Sequence, residues 1–193
     1  MQRFAFGMHL STKQTGILEV QELIRQCLSG DPDAQKLLFE KFATPMARLC
    51  IRYLKDQDTA QDVMMEAFMN VFDKLRQFEY QGDHSLAMWI RKIMVNACLM
   101  RLRKDRTRFY MDIRDQHHEI AVTAADHVSA DDILTLVNTL PAGYRTVFNL
   151  YAIDGYSHKE IAGLLHITES ASRSQLTHAR TKLQGMLRKH GWT

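Results

Sequence analysis

Arg173, Ser174, Gln175, Thr177, His178 and Arg180 fall within one short polar stretch near the end of the chain. Side chains of these types can read base edges: a guanidinium spans two acceptors on guanine, and a carboxamide matches adenine. Just upstream lies Ser157-His158-Lys159-Glu160-Ile161-Ala162-Gly163-Leu164-Leu165, where Ser157 and Glu160 have the spacing of a capping box at the start of a helix. His166-Ile167-Thr168 is a short connection, and Ala171, Leu176, Ala179 and Leu183 then give the next segment one apolar face. Two short helices, tightly joined, with the small residues Ala162 and Gly163 at their crossing, predict a helix-turn-helix. Its second helix would enter the major groove and present Ser172, Arg173, Gln175, Thr177 and His178. Arg180, Lys182, Arg188 and Lys189 add charge within reach of phosphates. The alternative is a plain three-helix bundle with a solvated polar face. The capping box, the spacing and the positive sign favour DNA.

A second set of candidates lies in the first half. From Arg91 to Arg108 there are seven basic groups (Arg91, Lys92, Arg101, Arg103, Lys104, Arg106, Arg108) against the single acid Asp105. Residues 109–135 are acidic, and residues 136–193 are basic again. The net charge of +3 therefore hides two positive blocks and an acidic spacer, a pattern suited to two contacts with one polyanion. Solvated helix faces would give the same charge sums. The loop Tyr80–Leu86, ahead of the first block, contains an aromatic ring and Gly82.

The elements that must position these groups read as helices. Val20, Leu23, Ile24, Cys27 and Leu28 form one helical stripe, which Ser29-Gly30-Asp31-Pro32 ends before starting the next. The following helix buries Leu38, Phe42, Met46, Leu49 and Tyr53, and Pro45 is expected to bend or interrupt it. After the polar break Lys55-Asp56-Gln57-Asp58, Ala60, Val63, Met64, Ala67, Phe68, Val71, Phe72 and Leu75 give the cleanest stripe, with Asp62, Glu66, Asn70, Asp73 and Lys74 opposite. Phe78–Ser85 is a loop, and Leu86, Trp89, Ile90, Ile93, Met94, Ala97 and Cys98 restart a helix that runs into the basic block. Trp89 lies on that stripe and reads as core. Residues 106–129 lose periodicity and read as a linker. Ile133, Leu136, Val137 and Leu140 then share a face, and Pro141 opens a further helix.

The expected fold is all-α: two small helical domains joined by a flexible linker, the second containing the helix-turn-helix. The expected boundaries are a tail at 1–18, a first domain at 19–105, the linker at 106–129 and a second domain at 130–193. No apolar run nears the roughly 18 residues that span a bilayer, and Met1–Gly16 has no secretory h-region. Cys27, Cys50 and Cys98 lack metal-ligand spacing and read as buried thiols in a reducing cytosol. A helical enzyme would need a site. The adjacent His117 and His118, in the linker, suit neither one helix face nor a metal triad. No catalytic residue, metal, cofactor or small-molecule substrate is expected.

Together these pieces resemble a bacterial extracytoplasmic-function (ECF) sigma factor of the sigma-70 family. In the first half the resemblance rests on Asp62-Val63-Met64-Met65-Glu66-Ala67-Phe68, on Phe78–Ser85 and on Trp89-Ile90-Arg91-Lys92-Ile93-Met94-Val95-Asn96. In the second it rests on Leu140-Pro141, Asp154-Gly155-Tyr156-Ser157-His158-Lys159-Glu160-Ile161-Ala162, Arg173-Ser174, Ala179-Arg180 and Leu183. It covers roughly Val20–Arg103 and Ala130–Leu187.

The resemblance implies a cytoplasmic subunit that recruits core RNA polymerase to promoter DNA, reads the −35 and −10 elements and promotes melting. Its partners would be the clamp and flap of the polymerase, the promoter and an anti-sigma factor. By the same resemblance, Asp62, Met65, Glu66 and Met69 grip the clamp. Tyr80, Gly82 and Asn96 take the unwound −10 strand, with Arg91, Lys92, Arg101, Arg103 and Lys104 on its phosphates. Lys159, Ser172, Arg173, Ser174, Gln175, Thr177, His178 and Arg180 serve the −35 element. Three departures stand out. Met65 replaces a common Gln, Ser170-Ala171-Ser172 replaces a common Gly-Thr-Val, and Gln175 and His178 stand where Arg is frequent. Fewer fixed charges imply weaker duplex binding by this domain alone. No extended acidic N-terminal region offers self-inhibition, so a separate inhibitor is expected. A stand-alone helix-turn-helix regulator would explain the second half but gives no reason for the basic block in the first.

Overall fold

The computed structural model describes residues 12–82, 84–104 and 130–189. The linker at 106–129, with His117 and His118, and the basic residues Arg106 and Arg108 lie outside the described residues. Among those described there are eight α-helices and no strand. The first four are α1 (Thr12–Leu28), α2 (Pro32–Leu54), α3 (Gln57–Lys74) and α4 (Ser85–Lys104). They are followed by α5 (Ala130–Thr139), α6 (Ala142–Phe148), α7 (His158–Leu165) and α8 (Glu169–Lys189).

Local chemistry sets the helix starts. Asp31 caps α2 by accepting from the Asp33 N–H at 2.9 Å, with Pro32 in the first turn. Asp56 caps α3, its carboxylate accepting from the Thr59 N–H at 2.8 Å. Within the expected break Lys55–Asp58, Asp56 is therefore the cap, and Asp58 belongs to the first turn of the helix. Pro45 does not interrupt α2. It deletes one backbone donor, but Leu38, Met46 and Leu49 are buried on either side and keep the helix continuous through it.

The predicted stripes meet in a common core. Leu38, Leu49, Cys50 and Tyr53 of α2 pack with Val63, Ala67, Phe68 and Val71 of α3 and with Ile90, Met94, Cys98 and Leu99 of α4. Each fully buried aliphatic chain contributes about 1.5–3 kcal/mol relative to exposure. Trp89 is half-buried against Phe78, ring centroids 5.4 Å apart, as its stripe position predicted. All three cysteines are free and buried. A smaller core, Leu136, Val137, Leu140, Ala179 and Leu183, ties α5 and α6 to α8. Ile133 shares that face in the sequence but remains exposed.

The two bundles also touch. Val147, Leu150, Ile161 and Leu176 of the second belong to the same apolar cluster as the core of the first. Phe68 is central to α2–α3 packing, edge-on to Phe39 at 4.8 Å. Phe68→Ala should cost about 3–5 kcal/mol in urea unfolding, and a loss under 1 kcal/mol would show that this core does not carry the fold.

Candidate nucleic-acid interface

The helix-turn-helix is built by short-range bonds. Ser157 and Glu160 form the complete capping box on α7: the Ser157 N–H donates to Glu160 Oε2 at 2.8 Å, and the Glu160 N–H donates to Ser157 Oγ at 3.3 Å. These bonds hold the Glu160 carboxyl below its usual range, first through the Ser157 hydroxyl. His166, at φ 54°, adopts the left-handed turn that ends α7, and the Ile167 N–H returns to Ala162 O at 3.1 Å. Thr168 then restarts the chain as a helix, accepting from the Ala171 N–H at 3.1 Å. Ile161 and Leu176 are buried where the two helices cross.

The outer surface of α8 carries most of the predicted readers. Arg173, Ser174, Thr177, His178 and Arg180 are exposed, as is Lys159 on α7. Arg173 reaches Glu169 one turn back at 3.0 Å, an exposed pair that DNA can displace at little cost. Arg180 lies over the Tyr151 ring at 5.8 Å, and His178 stacks on Tyr144 at 5.5 Å. Both contacts fix the direction of groups that would otherwise swing freely.

Two expected readers do not face outward. Ser172 is 0% exposed, and its hydroxyl lies 2.8 Å from His158 Nδ1. Gln175 is half-buried, its side-chain oxygen shielded from solvent without a hydrogen-bond partner. Periodicity contained the signal: Ser172 lies one turn before Leu176 and Gln175 one turn before Ala179, so both border the buried stripe. Ser172 thus positions α7 against α8 instead of meeting a base. Burial, and then Arg173, push the His158 pKa below its ordinary value.

On the first bundle, α3 turns Asp62, Met65, Glu66 and Met69 to solvent on one face, with Met65 47% and Met69 67% exposed. Asp62, Glu66 and Met69 follow the i, i+4, i+7 spacing of one helix side. Two carboxylates flanked by exposed thioethers suit a basic, partly apolar helix.

The loop before α4 is closed by Ser85. Its hydroxyl donates to Gly82 O at 2.7 Å and accepts from the Gln81 N–H at 3.1 Å. Gly82 has φ 116°, a conformation that a side chain would strain. Tyr80 and Asn96 are half-buried, and Lys92, Arg101, Arg103 and Lys104 are exposed. Arg91 departs from its expected place on an open phosphate track: it is half-buried and binds Asp154 of the second bundle. Arg103 also reaches across, to Leu164 O at 3.2 Å.

Asp154, Arg52, Tyr53, Arg145 and Asn149 form a polar site that sequence reasoning did not assemble. The Asp154 side chain is only 1% exposed. It accepts from Arg52 Nη2 at 2.9 and 3.1 Å, from Arg91 Nε at 3.0 Å and from the Tyr53 hydroxyl. Burial, and then the Asp154 carboxylate, raise the Tyr53 pKa, so the phenol stays protonated as a donor.

The Sigma-70 region 2 family matches residues 38–108, and the Sigma-70, region 4 family matches residues 130–183, in that order. The chain is 27% identical over 184 residues to the ECF RNA polymerase sigma factor SigW of Bacillus subtilis, covering 88% of this chain and 97% of that one. It is 26% identical over 187 residues to the ECF RNA polymerase sigma-E factor of Escherichia coli, covering 88% and 96%. Its fold is similar to the sigma factor RpoE solved with the anti-sigma factor NepR from Bartonella quintana, with TM-score 0.50 and 21% identity over 79% of this chain and 96% of that one. With both sigma-70 regions present in order on an all-helical fold that exposes a helix-turn-helix, the chain belongs to the ECF sigma factors of the sigma-70 family and is a sigma subunit of transcription initiation.

Proposed function

We propose that this subunit works as two DNA-reading units held on core RNA polymerase, with boundaries near 19–105 and 130–193 and a spacer at 106–129. The observation that carries the proposal is the outward face of α8, where Arg173, Ser174, Thr177, His178 and Arg180 lie together on a helix-turn-helix in the region 4 match. In this reading α8 enters the major groove of the −35 element, and Lys159 adds a phosphate contact. Ser172 and Gln175, being inward, supply support. Tyr80, Gly82 and Asn96 receive the separated −10 strand, whose phosphates meet Lys92, Arg101, Arg103 and Lys104, and Arg91 once it is released. Asp62, Met65, Glu66 and Met69 face the polymerase clamp.

The reading assigns no catalysis to the chain. Melting follows from captured bases and phosphates, whose contacts offset the cost of unstacking. No described helix is long and apolar enough to cross a membrane, and no described group of His, Cys, Asp and Glu could hold a metal ion. An anti-sigma factor is a further proposed partner, by analogy with the NepR complex of the related fold.

Two outcomes test these assignments. Charge reversal at Asp62 and Glu66 (Asp62→Lys with Glu66→Lys) should abolish copurification with core polymerase while leaving the circular dichroism unchanged. Retained copurification would remove the clamp contact from α3. Arg173→Ala should cost about 1–3 kcal/mol in −35 binding and relax preference at one base position. A uniform loss over all sequences would make Arg173 a phosphate contact instead.

A further inference from the structure

A line of stacked side chains runs beside the outward face of α8. Its middle member, Tyr151, belongs to neither apolar core and is left 36% exposed, although its neighbour Leu150 is fully buried. Both residues lie in a π-helical turn, Asn149–Ile153, closed by the Asp154 N–H donating to Asn149 O at 2.9 Å. Such a turn takes in one residue more than an α-helical turn, and it recurs at functional sites. The His158 ring, at the start of α7, lies 4.5 Å from the Tyr151 ring and within 20° of parallel. His158 is tied in turn through Nδ1 to the hydroxyl of buried Ser172 at 2.8 Å. Burial first, then the Arg173 and Arg180 charges against Glu169, hold its pKa below the ordinary value, so a neutral imidazole stacks on Tyr151 at pH 7. The Arg180 guanidinium rests over the same tyrosine ring, 5.8 Å from its centroid. The path Ser172–His158–Tyr151–Arg180 thus leaves α8, crosses α7 and the turn before it, and returns to α8 further along.

The way Arg180 is held differs from its neighbour. Arg173 is paired with Glu169 at 3.0 Å, and that carboxylate must yield before a phosphate can take its place. Arg180 has neither a carboxylate nor a hydrogen-bond acceptor among the described residues; the tyrosine ring holds it instead. A cation–π contact acts through the ring quadrupole and occupies none of the guanidinium N–H donors. Arg180 is therefore aimed and still open to an acceptor. Less rotamer freedom is left to lose when it meets an anion, and no other anion has to leave.

We propose that Tyr151 is a positioning residue of the duplex-reading unit: its ring, backed by His158, holds Arg180 ready for a phosphate of the −35 element. This rests on the assignment of α8 to that element. The ring is the working part of Tyr151, and its hydroxyl is dispensable.

Fluorescence anisotropy of the full chain on a labelled mixed-sequence duplex of about 20 base pairs, from about 50 to 200 mM salt, reads the phosphate contacts. Arg180→Ala should flatten the slope of log affinity against log salt by about 0.9, the loss of one contact. Tyr151→Leu should weaken binding about three- to fivefold although every cation remains, at unchanged helix content. Tyr151→Met, a second variant without the ring, should do the same, and Tyr151→Phe, which keeps the ring, should bind like wild type. With Arg180 already alanine, Tyr151→Leu should cost nothing further, because the two residues act as one. Losses that simply add would make Tyr151 an independent contact and overturn the proposal. So would wild-type affinity in both ringless variants beside a weakened Arg180→Ala, a result that leaves the −35 assignment standing. A wild-type salt slope for Arg180→Ala would instead take Arg180 off the phosphates, and the proposal would fall together with that part of the reading.

Discussion

A buried carboxylate facing two guanidiniums is tolerable only if all three stay together. Removing Asp154 from water costs several kcal/mol, which the contacts with Arg52, Arg91 and the Tyr53 hydroxyl must offset. That constraint fixes where the second bundle sits. It also orients α7 toward α4, shields most of the Arg91 side chain, and leaves α8 and its row of polar side chains facing away. The exposed polar face of α8 and the half-buried Arg91 of α4 are two consequences of one arrangement.

Exposure follows the same logic on a finer scale. The seat of α8 is apolar, with Leu176, Ala179 and Leu183 buried, and Ser172 joins them by pairing its hydroxyl with His158. A short polar side chain is accepted there because its one strong hydrogen-bonding group finds a partner. With that side filled, Arg173, Thr177 and Arg180 project outward, tied only to neighbours on the surface such as Glu169 and the Tyr151 ring. On α3 the division is sharper. Val63, Ala67, Phe68 and Val71 take the core, so the carboxylates and the two methionines are left exposed.

Much of this was legible in residue order. Stripes at helical spacing placed the core of α2, α3 and α4, because burying one helix face is a local, periodic demand. The Ser157–Glu160 box announced α7 for the same reason, since a cap depends on residues three apart. Errors arose where neighbours in space decided the outcome. Pro45 leaves α2 unbroken because the surrounding core outweighs one lost backbone bond. Residue type alone does not mark the cap within the polar break Lys55–Asp58, which the Thr59 N–H assigns to Asp56. Polarity points Ser172 and Gln175 outward, whereas their register places them beside the buried stripe. The Asp154 joint was beyond reach, because charge sums by segment cannot reveal a pair 102 residues apart.

Mapping of transcript starts on genomic DNA, with core RNA polymerase and this protein purified together, tests the central claim most directly. Initiation at discrete positions, each preceded by a shared pair of −35 and −10 elements, is the predicted result. Starts no different from those of core enzyme alone would contradict the account.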